Sequence, residues 1–219
     1  MEDVRLVSIL TGKPRDLGGG STPTWRSGIC KEPADGPVWL GKTGLAGDGQ
    51  ADLKHHGGPD KAVLAYAEAH YPLWRKELDL SHFTPGATGE NFVISRQTEE
   101  AVCIGDTYRI GKAVVQVSQP RQPCWKPARR WNIRDLTLRM QNTGRTGWYY
   151  RVLEEGYVEA GTEVILLDRP YPQWTISRCN EIMYHRREDR ESAAQLAACP
   201  LLSESWVRTL SKRAEEGSR

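Results

Sequence analysis

Short runs of β-branched and aromatic residues, separated by glycine and proline, recur through the first 170 residues. Such runs are typical of strands joined by turns, and their length is too short for most helices. Seven strands are predicted, at Val4 to Leu10, Val38 to Leu40, Phe92 to Ser95, Ala101 to Ile104, Tyr108 to Ile110, Ala113 to Ser118 and Glu163 to Leu167. The pattern therefore predicts a mainly β fold, either a barrel or a sandwich.

One helix is predicted to interrupt this pattern after Pro59, with Asp60 capping its first turn. Three side chains four residues apart would share one face of this helix, namely Val63, Ala67 and Tyr71. Pro72 is expected to end or kink it, and the spacing of Trp74 and Leu78 indicates a short second helix beyond the proline.

Glycine disappears beyond Pro172 until the extreme tail, and three stretches of helical length follow. They are Ile176 to Tyr184, Asp189 to Cys199 and Ser203 to Glu215. Pro200 stops the middle stretch, and Ser203 is a good cap for the last one. The chain is therefore divided into a β domain over residues 1–170 and a three-helix segment over residues 171–219, whose last residues are expected to be frayed.

Composition places the chain among globular proteins, with 38% hydrophobic and 26% charged residues. A net charge of +2 gives no overall attraction to nucleic acid or a membrane. The N-terminus is acidic where a secretory signal would be basic, and a cytoplasmic location is expected. Five scattered cysteines lack the spacing of zinc or iron–sulfur ligands, so each is expected to be a small buried side chain unless its surroundings indicate otherwise.

The most unusual segment follows the strand at residues 113–118 and reads Ser-Gln-Pro-Arg-Gln-Pro-Cys-Trp-Lys-Pro over residues 118–127. Its three prolines hold the backbone without secondary structure, an arrangement suited to presenting the Cys124 thiol. Arg121 and Lys126 flank that thiol, and nearby positive charge favours the thiolate, which is the form that binds metals. Local sequence leaves two interpretations open: a reactive thiolate, or a thiol buried in a stiff loop.

A second segment of interest runs from a glycine-rich stretch through His55, His56, Gly57 and Gly58 to Lys61. Paired glycines let backbone amides approach a ligand, while histidine and lysine supply donors, a combination suited to phosphate. The alternative is an ordinary tight turn, and two histidines without a third ligand are weak evidence for zinc.

The residues together resemble a known family, the MOSC-domain proteins, and particularly the YiiM type linked to resistance against N-hydroxylated purines. The matching motifs extend over nearly the whole chain. They are Ser27-Gly28-Ile29-Cys30-Lys31, Gly44-Leu45-Ala46-Gly47-Asp48, His55-His56-Gly57-Gly58-Pro59-Asp60-Lys61-Ala62-Val63, Gly89-Glu90-Asn91, Ile104-Gly105-Asp106, Gln119-Pro120-Arg121-Gln122-Pro123-Cys124 and Gln141-Asn142-Thr143-Gly144-Arg145-Thr146-Gly147-Trp148-Tyr149. An insertion-like stretch, Gly18 to Pro23, departs from the family's pattern and affects the placement of Lys13.

The resemblance implies a MOSC-type β-barrel with a few helices, followed by a small C-terminal three-helix appendage. It also implies that Cys124 is the ligand of a molybdenum ion carried on molybdopterin. By its chemistry His56 is a second candidate catalytic residue, as an acid, provided that it is not occupied by phosphate. Thiolate is a soft ligand suited to such a metal. The candidate cofactor contacts by this resemblance are Lys13, Lys31, His55, His56, Gly57, Gly58, Lys61, Asn91, Arg121 and Cys124.

The function implied by the resemblance is detoxifying reduction of N-hydroxylated amines or purine bases to the parent amines. Nothing in the chain resembles a flavin or nicotinamide site, so the electrons are expected from a ferredoxin-like or flavin-containing partner protein. Two alternatives stay open: a sulfur carrier with a persulfide on Cys124, and a protein that binds the cofactor without turnover. Three alternative roles stay open for the helical segment: covering the active site, binding a partner, or forming a homodimer.

Overall fold

A large curved sheet surrounded by short helices frames the molecule in the computed structural model, which describes residues 3–20 and 22–215. The strands are β1 Leu6–Thr11, β2 Arg15–Gly19, β3 Thr22–Ser27, β4 Glu32–Pro33, β5 Val38–Gly41, β6 Gly44–Leu45, β7 Val63–Ala67, β8 Phe92–Ile94, β9 Thr107–Ile110, β10 Ala113–Pro120, β11 Trp148–Glu154, β12 Gly156–Val158 and β13 Val164–Asp168. The α-helices are α1 Leu53–His56, α2 His70–Leu78, α3 Trp125–Trp131, α4 Leu136–Thr143, α5 Ile176–Asn180, α6 Arg190–Ala197 and α7 Glu204–Glu215. A 3₁₀ turn covers Pro59–Lys61, and a π turn covers Glu181–His185.

Eight strands form the main sheet in the order β13-β9-β10-β11-β7-β8-β1-β4. All neighbouring strands are antiparallel except β7 and β8, which are parallel. The sheet curves until its two sides meet, where Arg5 forms an isolated bridge with Glu163 and the Val164 amide donates to the Val4 carbonyl at 2.8 Å. The predicted mainly β class is confirmed, although this contact is a short bridge and the named strands do not form one continuous barrel ladder.

Six of the seven predicted strands are confirmed, with ends shifted by one or two residues. The prediction at Ala101 to Ile104 is wrong, because this segment consists of turns around a single isolated bridge between Cys103 and Thr175. The Asp106 carboxylate accepts a hydrogen bond from the Cys103 amide at 2.9 Å and folds the chain back on itself. A side chain that accepts a hydrogen bond from a backbone amide in this way competes with the hydrogen bonds between strands.

The helix predicted after Asp60 is also wrong at its start, because Val63–Ala67 forms strand β7. All five residues of β7 are buried between β8 and β11. A short apolar run covered on both faces has no alternation to distinguish it from a helix. Helix α2 begins only at His70, and Pro72 lies in its first turn, where the missing amide costs nothing. Asp60 accepts from Arg151 Nε at 2.9 Å and caps no α-helix.

The three predicted C-terminal helices are confirmed, although α5 ends at Asn180 and continues as the π turn. Asp189 caps α6 by accepting from the Ser192 amide at 2.9 Å. The Ser203 hydroxyl donates to Gln119 Oε1 at 2.8 Å. The predicted fraying covers Glu215 to Arg219. Glu215 is the last residue of α7, and positions 216–219 lie outside the described residues, as does Ser21 in the Gly18 to Pro23 stretch.

Two apolar clusters hold the fold together. The larger one joins the inner face of the sheet to the C-terminal helices, so that Val117 and Ile104 belong to the same core as Trp206. The smaller one includes Trp74 and Met140, and it packs α2 and α4 against the other side of the sheet. No helix in the described part of the chain is long and apolar enough to cross a membrane.

Candidate functional site

A pocket opens at the end of β10, and its lining comes from several loops, from α1 and α3, and from strands β3, β7 and β11. Six of the predicted contacts line it, namely Lys31, His56, Lys61, Asn91, Arg121 and Cys124. The other lining residues are Ser27, Gly28, Ile29, Gly49, Gln50, Ala51, Leu64, Thr88, Gly89, Lys126 and Tyr149. The segments that sequence motifs singled out separately are therefore neighbours in space.

Cys124 is half-buried and stands immediately before α3. Its carbonyl accepts from the Thr137 hydroxyl of α4 at 2.8 Å. Three residues upstream, the Arg121 amide donates to the Gly147 carbonyl at 3.0 Å. Hydrogen bonds on both sides, together with Pro123, fix the backbone that presents the thiol to the pocket.

Arg121 contributes a buried guanidinium, only 5% exposed, to the pocket wall. Its Nη2 donates to the Thr88 carbonyl at 2.8 Å, whereas its Nη1 is buried without a hydrogen-bond partner among the described residues. Buried donors are nearly always paired, so Nη1 marks a position where an external acceptor would bind favourably.

Glu90 fixes the turn that holds Arg121. This carboxylate is fully buried and accepts from the Thr88 amide at 2.9 Å and from the Thr88 hydroxyl at 2.7 Å. It also accepts from the Tyr71 hydroxyl and the Gly86 amide. Because these bonds set the turn, they also set the direction of the Thr88 carbonyl toward Arg121.

His56 is neutral at physiological pH in this setting. Burial lowers its pKa from 6.5 to about 4, and the positive charges of Lys126 and Arg121 act in the same direction. Burial also lowers the pKa of Lys61, whose Nζ donates to the His55 carbonyl at 2.8 Å. Burial is the main cause of both shifts, and at His56 alone the neighbouring positive charges add to it, so this end of the pocket combines a desolvated base with the cationic side chains of Lys126 and Arg121.

Lys31 and Asn91 meet at Asp48. Lys31 forms a buried ion pair with the Asp48 carboxylate, and Asn91 Nδ2 donates to Asp48 Oδ2 at 2.9 Å. Burial lowers the pKa of Lys31, and Asp48 opposes that effect. Asn91 Nδ2 also donates to the Leu10 carbonyl, and its Oδ1 accepts from the Leu64 amide. The Asn91 amide is thus engaged within the protein, where it ties β1, β7 and the pocket together.

The remaining predicted contacts lie outside the pocket lining. The exposed His55 ring lies 2.9 Å from Asp52 Oδ2, and Asp52 is the residue that caps α1. Gly57 and Gly58 shape the turn before Pro59–Lys61, and Gly58 has the positive φ of 96° that glycine tolerates. Lys13 is exposed in the connection between β1 and β2. The roles assigned to these four residues stay predictions.

Two side chains at the pocket are not individual candidates from the sequence. Asp48 lies behind the lining, where it binds Lys31 and Asn91, and Tyr149 lies in the lining with its pKa raised by burial, so that its hydroxyl stays protonated. Both belong to glycine-containing motifs that the sequence shows, ending Gly47-Asp48 and Gly147-Trp148-Tyr149. The motifs were visible, but which of their side chains face a pocket depends on tertiary structure.

Comparison with known proteins agrees with this arrangement. Residues 52–165 match the MOSC domain family, and residues 174–217 match the YiiM-like, 3-alpha helix domain. The chain belongs to the MOSC-domain family. Within that family it is of the YiiM type, which confirms the resemblance noted in its motifs.

Relatives of similar length support the assignment. The chain is 42% identical to the uncharacterized protein YflK of Bacillus subtilis, over 97% of this chain and 95% of that one. It is 38% identical to protein YiiM of Escherichia coli, over 96% and 93% of the two chains. The crystal structure of YiiM from Geobacillus stearothermophilus superposes with a TM-score of 0.82 at 38% identity, covering 96% of this chain and 99% of that one.

Proposed function

We propose that this chain binds a molybdenum cofactor through the Cys124 thiolate and reduces N-hydroxylated amines or bases to the parent amines. The observation that carries the proposal is the combination of a half-buried thiol with a cationic pocket. Four cationic side chains line the same cavity as Cys124: Lys61, Arg121 and Lys126, and also Lys31, which is paired with Asp48.

The residues present fit the proposed cofactor. Molybdopterin carries a phosphate, and the unpartnered Nη1 of Arg121 together with Lys61 offers charge-assisted donors to such a group. Neutral His56 adds a ring nitrogen able to accept or donate one hydrogen bond. Close packing of Gly28 and Gly89 against neighbouring loops brings backbone into the lining, which leaves room for a flat pterin ring to lie against it.

The reaction consumes two electrons and two protons, converting an N–O–H group to N–H and releasing water. When bound, the metal would supply the two-electron chemistry at the N–O bond. The protein would orient the substrate and provide protons within the pocket. Tyr149 keeps its proton because burial raises its pKa, so its hydroxyl is suited to donating a hydrogen bond to a substrate oxygen.

The role of His56 as an acid is conditional on the charge around it. In the free protein its pKa is about 4, which leaves the ring neutral at pH 7. An anionic phosphate entering the pocket would raise that pKa, because it offsets Lys126 and Arg121. We therefore assign His56 to binding first and to proton transfer only in the loaded protein.

The electrons are proposed to come from a separate protein. One fungal relative, from Gibberella moniliformis, bears the name "Reductase" and is 38% identical over 84% of this chain. The match spans only 33% of that fungal protein, so there the same unit is joined to a much longer chain. A cytoplasmic setting, which keeps thiols reduced, fits this redox chemistry.

The decisive experiment measures molybdenum per chain in protein purified from a host that makes the cofactor. Wild type is expected near one molybdenum per chain, and Cys124→Ser is expected to lose most of it. Cys30→Ser is the matched control, since Cys30 is also half-buried but does not line the pocket. It should retain the metal.

Turnover is tested with reduced methyl viologen and an N-hydroxylated purine. Oxidation of the dye by wild type but not by Cys124→Ser supports the reductase. Metal binding without dye oxidation would instead identify a cofactor-binding protein. Metal-free protein with a persulfide on Cys124, detected by mass, would identify a sulfur carrier.

A further inference from the structure

An aromatic and cationic cluster lies on the surface next to Cys124. The ring centroids of Trp25 and Trp125 are 5.2 Å apart, and the Arg129 guanidinium lies over both rings, at 5.2 Å and 5.5 Å. Arg129 also donates to the Pro23 carbonyl. These contacts attach the β2–β3 hairpin to α3, and Trp125, the residue after Cys124, is still 52% exposed.

The same two elements concentrate the positive charge of the chain. The hairpin at residues 15–27 and helix α3 carry five cationic side chains against the single carboxylate of Asp16. The five are Arg15, Arg26, Lys126, Arg129 and Arg130, of which Arg15, Arg26 and Arg129 are exposed, whereas Lys126 also lines the pocket and Arg130 donates to the Ile29 and Gly86 carbonyls. The net charge of the two elements is +4, whereas the whole chain has +2, so the rest of the sequence is net negative. This asymmetry would orient a charged partner toward the Cys124 side of the molecule.

We infer that this hairpin–α3 surface docks a small acidic electron-transfer protein. The inference rests on the proposed function, which requires electrons from outside the chain. Tryptophan and arginine are the residue types that most often dominate binding energy at protein interfaces. Redox encounters use small surfaces and rely on charge for their association rate, which matches a patch of two short elements.

A single-stranded nucleic acid is the competing ligand for a basic and aromatic surface. Such ligands bind by stacking bases on open aromatic faces. Here the Arg129 guanidinium occupies one face of each ring, and the two rings are tilted by 56° against one another. Arg129 and this tilt interrupt a continuous stack of bases over the two rings, so an acidic protein surface fits the cluster better.

The donor step delivers electrons from the reduced cofactor of the partner, two for each N–O bond reduced. Two protons come from water, and one water is released.

The test uses cofactor-loaded, full-length protein and a flavodoxin kept reduced by its NADPH-dependent reductase. Reduced methyl viologen serves as a small donor that needs no docking surface. Arg129→Gln keeps a hydrogen-bond donor near Pro23 and removes the charge, and Arg129→Glu reverses the charge.

The expected result is a rise in the KM for flavodoxin of about threefold in Arg129→Gln and about tenfold in Arg129→Glu. The difference from wild type should shrink at high salt, because surface charges are screened. The viologen rate should stay within about twofold of wild type. Arg190→Glu, an exposed position at the start of α6, is the matched control and should leave both donors unaffected.

An unchanged flavodoxin KM in Arg129→Glu, or an equal loss of the viologen rate, would overturn the docking surface. Failure of wild type to oxidise viologen would count against the reductase itself. In that case docking is judged by titrating reduced flavodoxin into the protein at low salt. Binding lost in Arg129→Glu supports the surface, whereas no binding, or Arg129-dependent binding of labelled single-stranded DNA alone, refutes it.

Discussion

Asp48 is the side chain on which one wall of the pocket depends. Its carboxylate is 2% exposed and receives Lys31, the Asn91 amide and the Gly12 backbone amide. Three loops are thereby fixed to one another through a single buried charge. Removing one partner of a buried pair leaves the other charge uncompensated, which costs more than the pair itself contributes.

We therefore expect Asp48→Asn to lower the free energy of unfolding by about 3 kcal/mol, measured by chemical denaturation at pH 7. The double variant Asp48→Asn with Lys31→Met removes the stranded ammonium as well, so it should regain part of that loss. A single variant within about 0.5 kcal/mol of wild type would contradict the assigned role of the pair.

His56 makes stability depend on pH in a defined direction. Its pKa is about 4 in the folded protein and about 6.5 in the unfolded chain, so between these values the unfolded chain binds more protons. Stability contributed through this group is present above pH 6.5 and is lost as the pH falls toward 4. We expect the drop in unfolding free energy between pH 7.5 and pH 5 to be smaller in His56→Asn than in the cofactor-free wild type. Parallel pH profiles of the two proteins would rule this out.

At the scale of elements, two loops that line the pocket are in unusually close contact. A Cβ added at Gly28 would lie 2.3 Å from the Gly49 carbonyl oxygen, which is backbone and cannot rotate away. Any side chain at position 28 must push apart the loops that carry Ser27 to Lys31 and Gly49 to Ala51. The requirement for glycine here comes from packing between elements.

Gly28→Ala is accordingly expected to cost about 2 kcal/mol of stability and to lower the molybdenum retained per chain. Gly41→Ala is the control, because its nearest contact, at 3.2 Å, is the carboxylate end of the flexible Glu155 side chain and it does not line the pocket. Thermal denaturation and metal analysis on both variants check the prediction. Equal behaviour of the two would show that the Gly28 contact is unimportant.

The elements also show how far the sequence alone determines the structure. Strand β9 is predicted because its buried and exposed residues alternate, whereas β10 is buried along nearly its whole length and is predicted because a glycine-containing turn precedes its β-branched run. Strand β7 was not predicted, since burial on both faces removes the alternation of apolar and polar residues. Helix α3 was missed because Pro127 and two tryptophans conceal a helix that α4 and neighbouring loops stabilise.

The candidate site was predicted unevenly for the same reason. Cys124 and Arg121 stand in a proline-rich segment whose stiffness is visible in the sequence, and the structure places both in the pocket. Tyr149 becomes a candidate only because β11 brings it to that pocket, and Asp48 only through its contacts with the lining residues Lys31 and Asn91. Lys13 was named by resemblance, yet it is exposed and lies outside the lining. No local sequence pattern could have predicted that position.

At the scale of the whole molecule, the C-terminal helices and the sheet share one core. Trp206 and Leu210 of α7 are fully buried in the cluster that contains Val117 of β10. Polar contacts reinforce this: the Ser203 amide donates to the Ser118 carbonyl at 2.9 Å, and Asn180 donates to Thr146 Oγ1 at 2.8 Å. The contacts fall on the strand end and the loop that flank the Cys124 segment. The boundary near residue 170 thus lies between two sequence families, but the residues on its two sides share one hydrophobic core.

A chain cut after Pro172 is therefore expected to lose cooperative folding, because the sheet would expose the apolar surface that α5 to α7 cover. Binding of a hydrophobic dye and loss of the near-ultraviolet circular dichroism of buried Trp148 and Tyr150 would report this. In the intact chain, Leu210→Ala should lower the free energy of unfolding by about 3 kcal/mol and move the single unfolding transition to a lower denaturant concentration.

Since one core unfolds as one unit, the circular dichroism signals of the sheet and of the helices should shift together. Two separate transitions, or a native spectrum in the shortened chain, would instead establish an independent sheet domain and leave the helices free to move relative to the pocket.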